Sequence, residues 1–231
     1  MYADNLIVSI YSAVLKNIHV VMPEKIIFVH GKPGSGKTTH CDQLDSRTDD
    51  STRHLAVGKR VRAIVKGETR SAFSGLIDQT SGALNYSLVD PRLVYGVVEE
   101  FITNHQQPGL TLIDGFPKEI GMIPFIEDGV KRGVLDIAGL VVIQVDDETA
   151  INRQLARKAV ESSHEPYDKT KAQRRVDEYR DQTVPVIAFL GTEYPIMEID
   201  GLLQPEDTTD LFERAIEDLV PRNIRQVQQE Y

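Results

Sequence analysis

The chain has 231 residues, 41% of them hydrophobic and 26% charged, values of one large globular domain that exclude a disordered chain, a fibre or a disulfide-stapled miniprotein. Thirty-five acidic against 26 basic residues give a net charge of −9, which argues against nucleic acid or an anionic membrane as the main partner. Cys41 is the one cysteine, so no intrachain disulfide forms, in keeping with a reducing, cytoplasmic setting.

Residues 1–24 read as an N-terminal extension. Leu6, Ile7, Ile10, Tyr11, Val14, Leu15 and Ile18 recur at helical spacing and predict an amphipathic helix docked on the body. Lys16, Asn17 and His19 interrupt this stretch too often for a membrane span of about 20 apolar residues. Met22 is a candidate alternative start, because the first core strand, Lys25–His30, follows at once. A glycine-rich turn leads into a helix expected from Gly36 to Leu44, then a polar loop over 45–52 and a short strand at Arg53–Val57. Residues 58–103 alternate helical patterns with turns at Gly67, Gly75 and Gly82. Leu110–Asp114 and Gly139–Val145 are nearly continuous apolar runs, as expected of strands buried on both faces of a parallel sheet. Asp147–Lys158 is helical, with acids at its start. Lys169–Leu190 reads as one long helix kinked near Pro185, Tyr194–Asp200 as a last strand and Glu206–Leu219 as a closing helix before a tail at 221–231. Alternating strands and helices predict an α/β fold, a five-stranded parallel sheet flanked by helices.

Gly31-Lys32-Pro33-Gly34-Ser35-Gly36-Lys37-Thr38 satisfies G-x-x-x-x-G-K-[ST], with a strand before it and a helix after it, the phosphate loop of P-loop nucleotide-binding proteins. The glycines let successive N–H groups curl around phosphate oxygens, and the helix adds its N-terminal dipole. Gly34, Ser35, Gly36 and Lys37 are therefore expected on the phosphates of ATP, with the hydroxyl of Thr38 or Thr39 on Mg²⁺. Asp114 ends an apolar strand in a carboxylate, where P-loop proteins hold Mg²⁺, usually through water.

The loop as spelled, G-x-P-G-x-G-K, resembles that of adenylate kinases and related nucleoside monophosphate kinases. Four later segments match in order: His54-Leu55-Ala56-Val57-Gly58-Lys59-Arg60-Val61-Arg62, Ile113-Asp114-Gly115-Phe116-Pro117-Lys118, Arg153-Gln154-Leu155-Ala156-Arg157, and Arg175-Val176-Asp177-Glu178-Tyr179 with Thr183-Val184-Pro185. The resemblance covers roughly residues 25–220 and implies a P-loop NTPase core with a helical acceptor-binding insertion at 58–103 and a short lid at 158–172. It implies that Lys37 and the loop amides bind ATP, that Arg153 lies against the donor base, and that Arg157 and Arg175 neutralise the transferring phosphoryl group. It places the acceptor monophosphate on Arg62 and Lys118, the latter standing for a second arginine, with Val57, Gly58, Gly115 and Met122 around the acceptor. Arg153 and Arg157, four apart, share one helix face.

Departures accompany the match. Val57 replaces a threonine, and Met122 stands where a glutamine or asparagine reads the acceptor base, although a thioether offers no paired hydrogen bonds. The lid's G-R-x-D-D motif is missing, with His164 at its arginine; protonated His164, Arg174, Lys169 or Lys171 is expected to compensate. The function expected is reversible, Mg-dependent transfer from ATP to a nucleoside monophosphate by a monomer. The alternatives are a catalytically weak nucleotide-binding protein of this fold and a P-loop kinase of another small metabolite. Seven cations (Lys37, Arg62, Lys118, Arg153, Arg157, Arg174, Arg175) are expected to line one cleft or its lid.

Overall fold

A computed structural model describes residues 24–48, 51–74, 90–104, 109–160 and 167–220. The helix expected within residues 1–24, the turns at Gly75 and Gly82, His164 and the tail at 221–231 lie outside the described residues.

Five parallel strands form one sheet: β1 (Lys25–Gly31), β2 (Thr52–Ala56), β3 (Leu110–Asp114), β4 (Asp136–Gln144) and β5 (Ile196–Asp200), in the order β2-β3-β1-β4-β5. The helices are α1 (Lys37–Arg47), α2 (Val57–Val65), α3 (Pro91–Thr103), α4 (Ile123–Lys131), α5 (Asp147–Val160), α6 (Lys169–Glu178), α7 (Val184–Leu190) and α8 (Pro205–Leu219). The sheet is the one the apolar runs predict, and its three central strands are buried almost throughout.

The two-residue period of a strand sorts β1 between two cores. Ile26 and Phe28 face a layer with Ile113, Leu140 and Val142, covered by α2, α3, α4 and α7. Ile27 and Val29 face Leu112, Val141 and Ile143, covered by Cys41 and Leu44 of α1 and Phe212 and Ile216 of α8. Full burial of an Ile or Phe side chain contributes about 1.5–3 kcal/mol, so a one-residue slip of β1 would exchange both cores at once. A smaller cluster, Val145, Ala150, Ile151, Ala172 and Val176, joins α5 to α6.

The elements depart from the sequence reading by one or two residues at several ends and by more at three places. α1 runs three residues past Leu44, where Arg47 reaches Glu213 of α8 at 2.9 Å and the Thr48 hydroxyl donates to the Leu44 carbonyl at 3.0 Å. β4 starts at Asp136 rather than Gly139, and Lys25 pairs with Asp136 at 2.7 Å. The expected single helix over Lys169–Leu190 is two helices joined by a π-helical turn at Tyr179–Thr183. Pro185 has no N–H and its ring crowds the carbonyl four residues back, so the ladder widens just before it.

Candidate active site

β1 lies between β3 and β4, and the chain builds the sheet outward on either side of it. Such a switch point leaves a crevice at the carboxyl ends of the strands, and the glycine-rich loop sits there. Gly34 and Gly36 hold φ of +93° and +95°. A Cβ on Gly34 would stand 2.5 Å from the Ala150 carbonyl oxygen, so the loop is backed directly by α5 and closes only with glycine. The Ser35 N–H donates to the Lys32 carbonyl at 3.0 Å, and Lys37 Nζ reaches the same oxygen at 3.3 Å, which curls the loop around that point. Lys32 pins the loop to the β4–α5 corner through the Val145 carbonyl at 2.8 Å and Asp147 at 2.5 Å. The Ser35 hydroxyl is buried without a partner. A cradle of amides with an unused buried hydroxyl fits a polyphosphate.

Asp114 ends β3 beside Val29 of β1. The Thr38 hydroxyl donates to its Oδ2. His54 is buried, with Nε2 3.9 Å from that oxygen and Nδ1 2.7 Å from Asp42. Thr39 is exposed, so of the two threonines Thr38 meets the carboxylate. Among the described residues no group of three His, Cys, Asp or Glu side chains is arranged to hold a metal ion. One carboxylate and one hydroxyl do not cage a metal alone. They suit Mg²⁺, which keeps waters and phosphate oxygens in its shell.

Cations close the other sides. Burial, with Arg175, Lys37 and Arg62 adding to it and Glu178 opposing, pushes the Lys118 ammonium down from 10.5 to about 7. Burial likewise lowers Lys37, with Asp114 opposing and Arg175 and Arg157 adding. Arg175 thus bears on both lysines, Arg62 on Lys118 and Arg157 on Lys37, so these five cations lie near enough to feel one another. A Cβ on Gly58 would stand 3.3 Å from Nη1 of Arg62, so the bare Gly58 leaves space for the guanidinium one turn on. Arg153 sits on the rim, donating to the Gly201 carbonyl at 3.0 Å. Arg174, expected with the cleft cations, is turned out: its side chain is 65% exposed and pairs with Glu178 at 3.4 Å, because it falls on the solvent face of α6. Lys169 and Lys171 are exposed on the first turn of that helix.

The sequence profile of adenylate kinases matches residues 29–194, more than half of the chain. The chain belongs to the adenylate kinase family. It is 27% identical over 196 residues to the adenylate kinase of Synechococcus sp. (strain WH7803), covering 84% of this chain and 100% of that protein. It is 25% identical over 195 residues to that of Prochlorococcus marinus, covering 84% and 100%. The adenylate kinase of Flavobacterium johnsoniae is 22% identical over 193 residues, covering 84% and 98%.

The two positions where the sequence reading expects the acceptor base, Val57 and Met122, are buried apolar side chains. Val57, at the first turn of α2, is fully buried, and Met122 is 3% exposed. The Met122 sulfur accepts the Lys118 N–H at 3.4 Å, a weak bond that ties it to the loop after β3. Gly115 makes the turn leaving β3 at φ +73°, with open space on its Cβ side. Sequence reasoning assigned no role to His54, Gln154 or Tyr167. His54 and Gln154 stood inside matched segments; Tyr167 carried no signal, because what joins it to Gln154 is a contact between residues 13 apart in the chain.

Proposed function

We propose that this chain is a nucleoside monophosphate kinase, transferring the γ-phosphoryl group of ATP to a nucleoside monophosphate with Mg²⁺. What carries the reading is the convergence of Lys37, Arg62, Lys118 and Arg175 on a cleft whose floor is a phosphate loop and an Asp114–Thr38 pair. A site that merely bound one nucleotide would not need cations on two sides of the transferring group.

The chemistry balances simply. An oxygen of the acceptor monophosphate bonds to the γ-phosphorus, the bond from γ-phosphorus to the β–γ bridging oxygen breaks, and the products are ADP and a nucleoside diphosphate. Protein contributes alignment and positive charge rather than covalent help. The loop amides and Lys37 hold the donor phosphates, Arg153 borders the donor base, and Arg62 and Lys118 hold the acceptor phosphate. Arg157 and Arg175 face the equatorial oxygens. Asp114 and Thr38 would hold Mg²⁺, which when bound would neutralise β and γ charge. Val57, Gly58, Gly115 and Met122 enclose the acceptor, whose base meets no paired hydrogen-bonding side chain there. Residues 58–103 act as the acceptor flap and 158–172 as the lid that excludes water. Each group named comes from one chain, so a monomer suffices. Its buried, unbonded Cys41 suits the reducing cytoplasm. Among the described residues no helix is long and apolar enough to cross a membrane.

The test is ADP release coupled to an optical readout, with ATP·Mg against AMP, CMP, UMP, GMP and dAMP. Turnover with at least one monophosphate is expected; none with any of them, despite ATP binding, refutes the reading. Lys37→Met should reduce kcat by a factor of about 10³ or more with little change in Tm, and a variant that kept its rate would remove Lys37 from the reaction.

A further inference from the structure

Tyr167, towards the C-terminal end of the lid expected at 158–172, donates its hydroxyl to Oε1 of Gln154 at 2.8 Å. Gln154, on α5, is 1% exposed. Its amide nitrogen donates to the Ala150 carbonyl at 3.2 Å, which fixes the amide's orientation and leaves Oε1 as the acceptor. That Ala150 oxygen is the same atom that backs Gly34 of the phosphate loop. Arg175 enters this pair from α6, with Nη1 3.3 Å from Gln154 Oε1 and 3.4 Å from the Tyr167 hydroxyl. An unbroken series of contacts therefore runs from the phosphate loop through Ala150 and Gln154 to a cleft arginine.

Two features distinguish this node from incidental packing. Gln154 sits beside an apolar cluster of Ala150, Ile151, Ala172 and Val176, where a leucine would pack without a desolvation cost. A buried amide is tolerated there because both its oxygen and its nitrogen are used. Secondly, both partners of Arg175 are neutral. Its neighbours on α6 and the π-turn are paired with acids, Arg174 with Glu178 and Arg180 with Asp147 and Asp177. A carboxylate would hold Arg175 more tightly, and would cancel the charge that transfer requires.

We infer that Gln154 and Tyr167 are positioning residues for Arg175, orienting its guanidinium from neutral oxygens so that it meets the transferring phosphoryl group fully charged. The inference rests on the reading of Arg175 given under Proposed function. It also couples the lid's C-terminal end to the phosphate loop, since Tyr167 bonds only when that end is docked on α5.

The test measures kcat, both KM values and Tm for the wild-type chain, Tyr167→Phe, Gln154→Leu and Gln154→Glu. Tyr167→Phe keeps the ring and removes the hydroxyl. It should lower kcat about tenfold with both KM values within about twofold and little loss of Tm, the signature of an interaction used in the transition state. Gln154→Glu keeps the shape and adds a charge that neutralises Arg175. It should lower kcat at least as much while Tm holds or rises, an opposition a merely structural role does not produce. If Gln154→Leu fails to fold, the other two variants decide. The inference is overturned if Tyr167→Phe or Gln154→Glu keeps wild-type kcat, or if each loss of kcat follows a matching loss of Tm. A wild-type chain inactive with every monophosphate overturns the proposed function and this inference together, whereas an active wild type with unaffected variants overturns this inference alone.

Discussion

Lys118 departs far from an ordinary lysine. Its ammonium sits among Arg175, Lys37 and Arg62, and burial with these neighbours brings it from 10.5 to about 7. Between those values the native chain binds fewer protons than the unfolded one, so this residue's contribution to stability rises with pH from about 7 to 10.5. A phosphate monoester dianion in the cleft reverses the bias, because it favours the charged lysine. Acceptor binding should then take up a proton near neutral pH, and acceptor KM should rise as pH increases through about 7 towards 8.5. Calorimetry in buffers of different ionisation enthalpy reads the proton directly. Lys118→Arg installs a permanent charge and should flatten the profile; a wild-type KM that is already flat across this range defeats the account. The segment that Lys118 closes is what marks the position as an expected acceptor-phosphate contact. Its weakened charge was not legible, because that depends on burial and on three cations from three separate elements.

The elements themselves were legible where one physical cue dominates. β3 matches its apolar run residue for residue, since a strand buried on both faces leaves no doubt about its ends. The long helix at Lys169–Leu190 resolved into two, because Pro185 signals a break and not its form. Least legible were polar contacts between elements. Glu99 on α3 is 1% exposed and receives a two-pronged contact from Arg132, at 2.7 and 2.9 Å, just beyond α4. Arg132 also meets Asp128 at 2.6 Å, and its charge is held well above the ordinary range by Glu99. This locks α3 to α4 beneath the acceptor side of the cleft. Arg132→Met strands a buried carboxylate and should cost about 2–4 kcal/mol, allowing for an arginine one-third exposed. A urea midpoint that does not move would show the pair to be dispensable. The double variant Arg132→Met with Glu99→Gln should recover part of the loss, since the uncompensated charge goes with it.

At the scale of the molecule, the question is how an acidic chain attracts a polyanion. The net charge is −9, and exposed acids such as Glu127, Glu148, Glu193, Glu206 and Asp210 are spread over several elements and turns. The cleft instead gathers Lys37, Arg62, Lys118, Arg157 and Arg175. Distance decides between the two fields. A cation about 4 Å from a phosphate oxygen contributes on the order of 4 kcal/mol at an effective dielectric of about 20. Surface acids far beyond the Debye length, about 10 Å at 0.1 M salt, contribute little. The cleft therefore governs binding and the exterior does not. Raising salt from about 0.05 to 0.5 M should raise KM for ATP and for the acceptor several-fold, because it screens the cleft's partly exposed arginines. Tm should change little over the same range, since the exposed ion pairs contribute little to stability. If the acidic exterior dominated instead, salt would relieve repulsion and lower both KM values. The sign of that slope, measured at saturating Mg²⁺ so that the metal–nucleotide complex is constant, decides which part of the charge distribution the substrates meet.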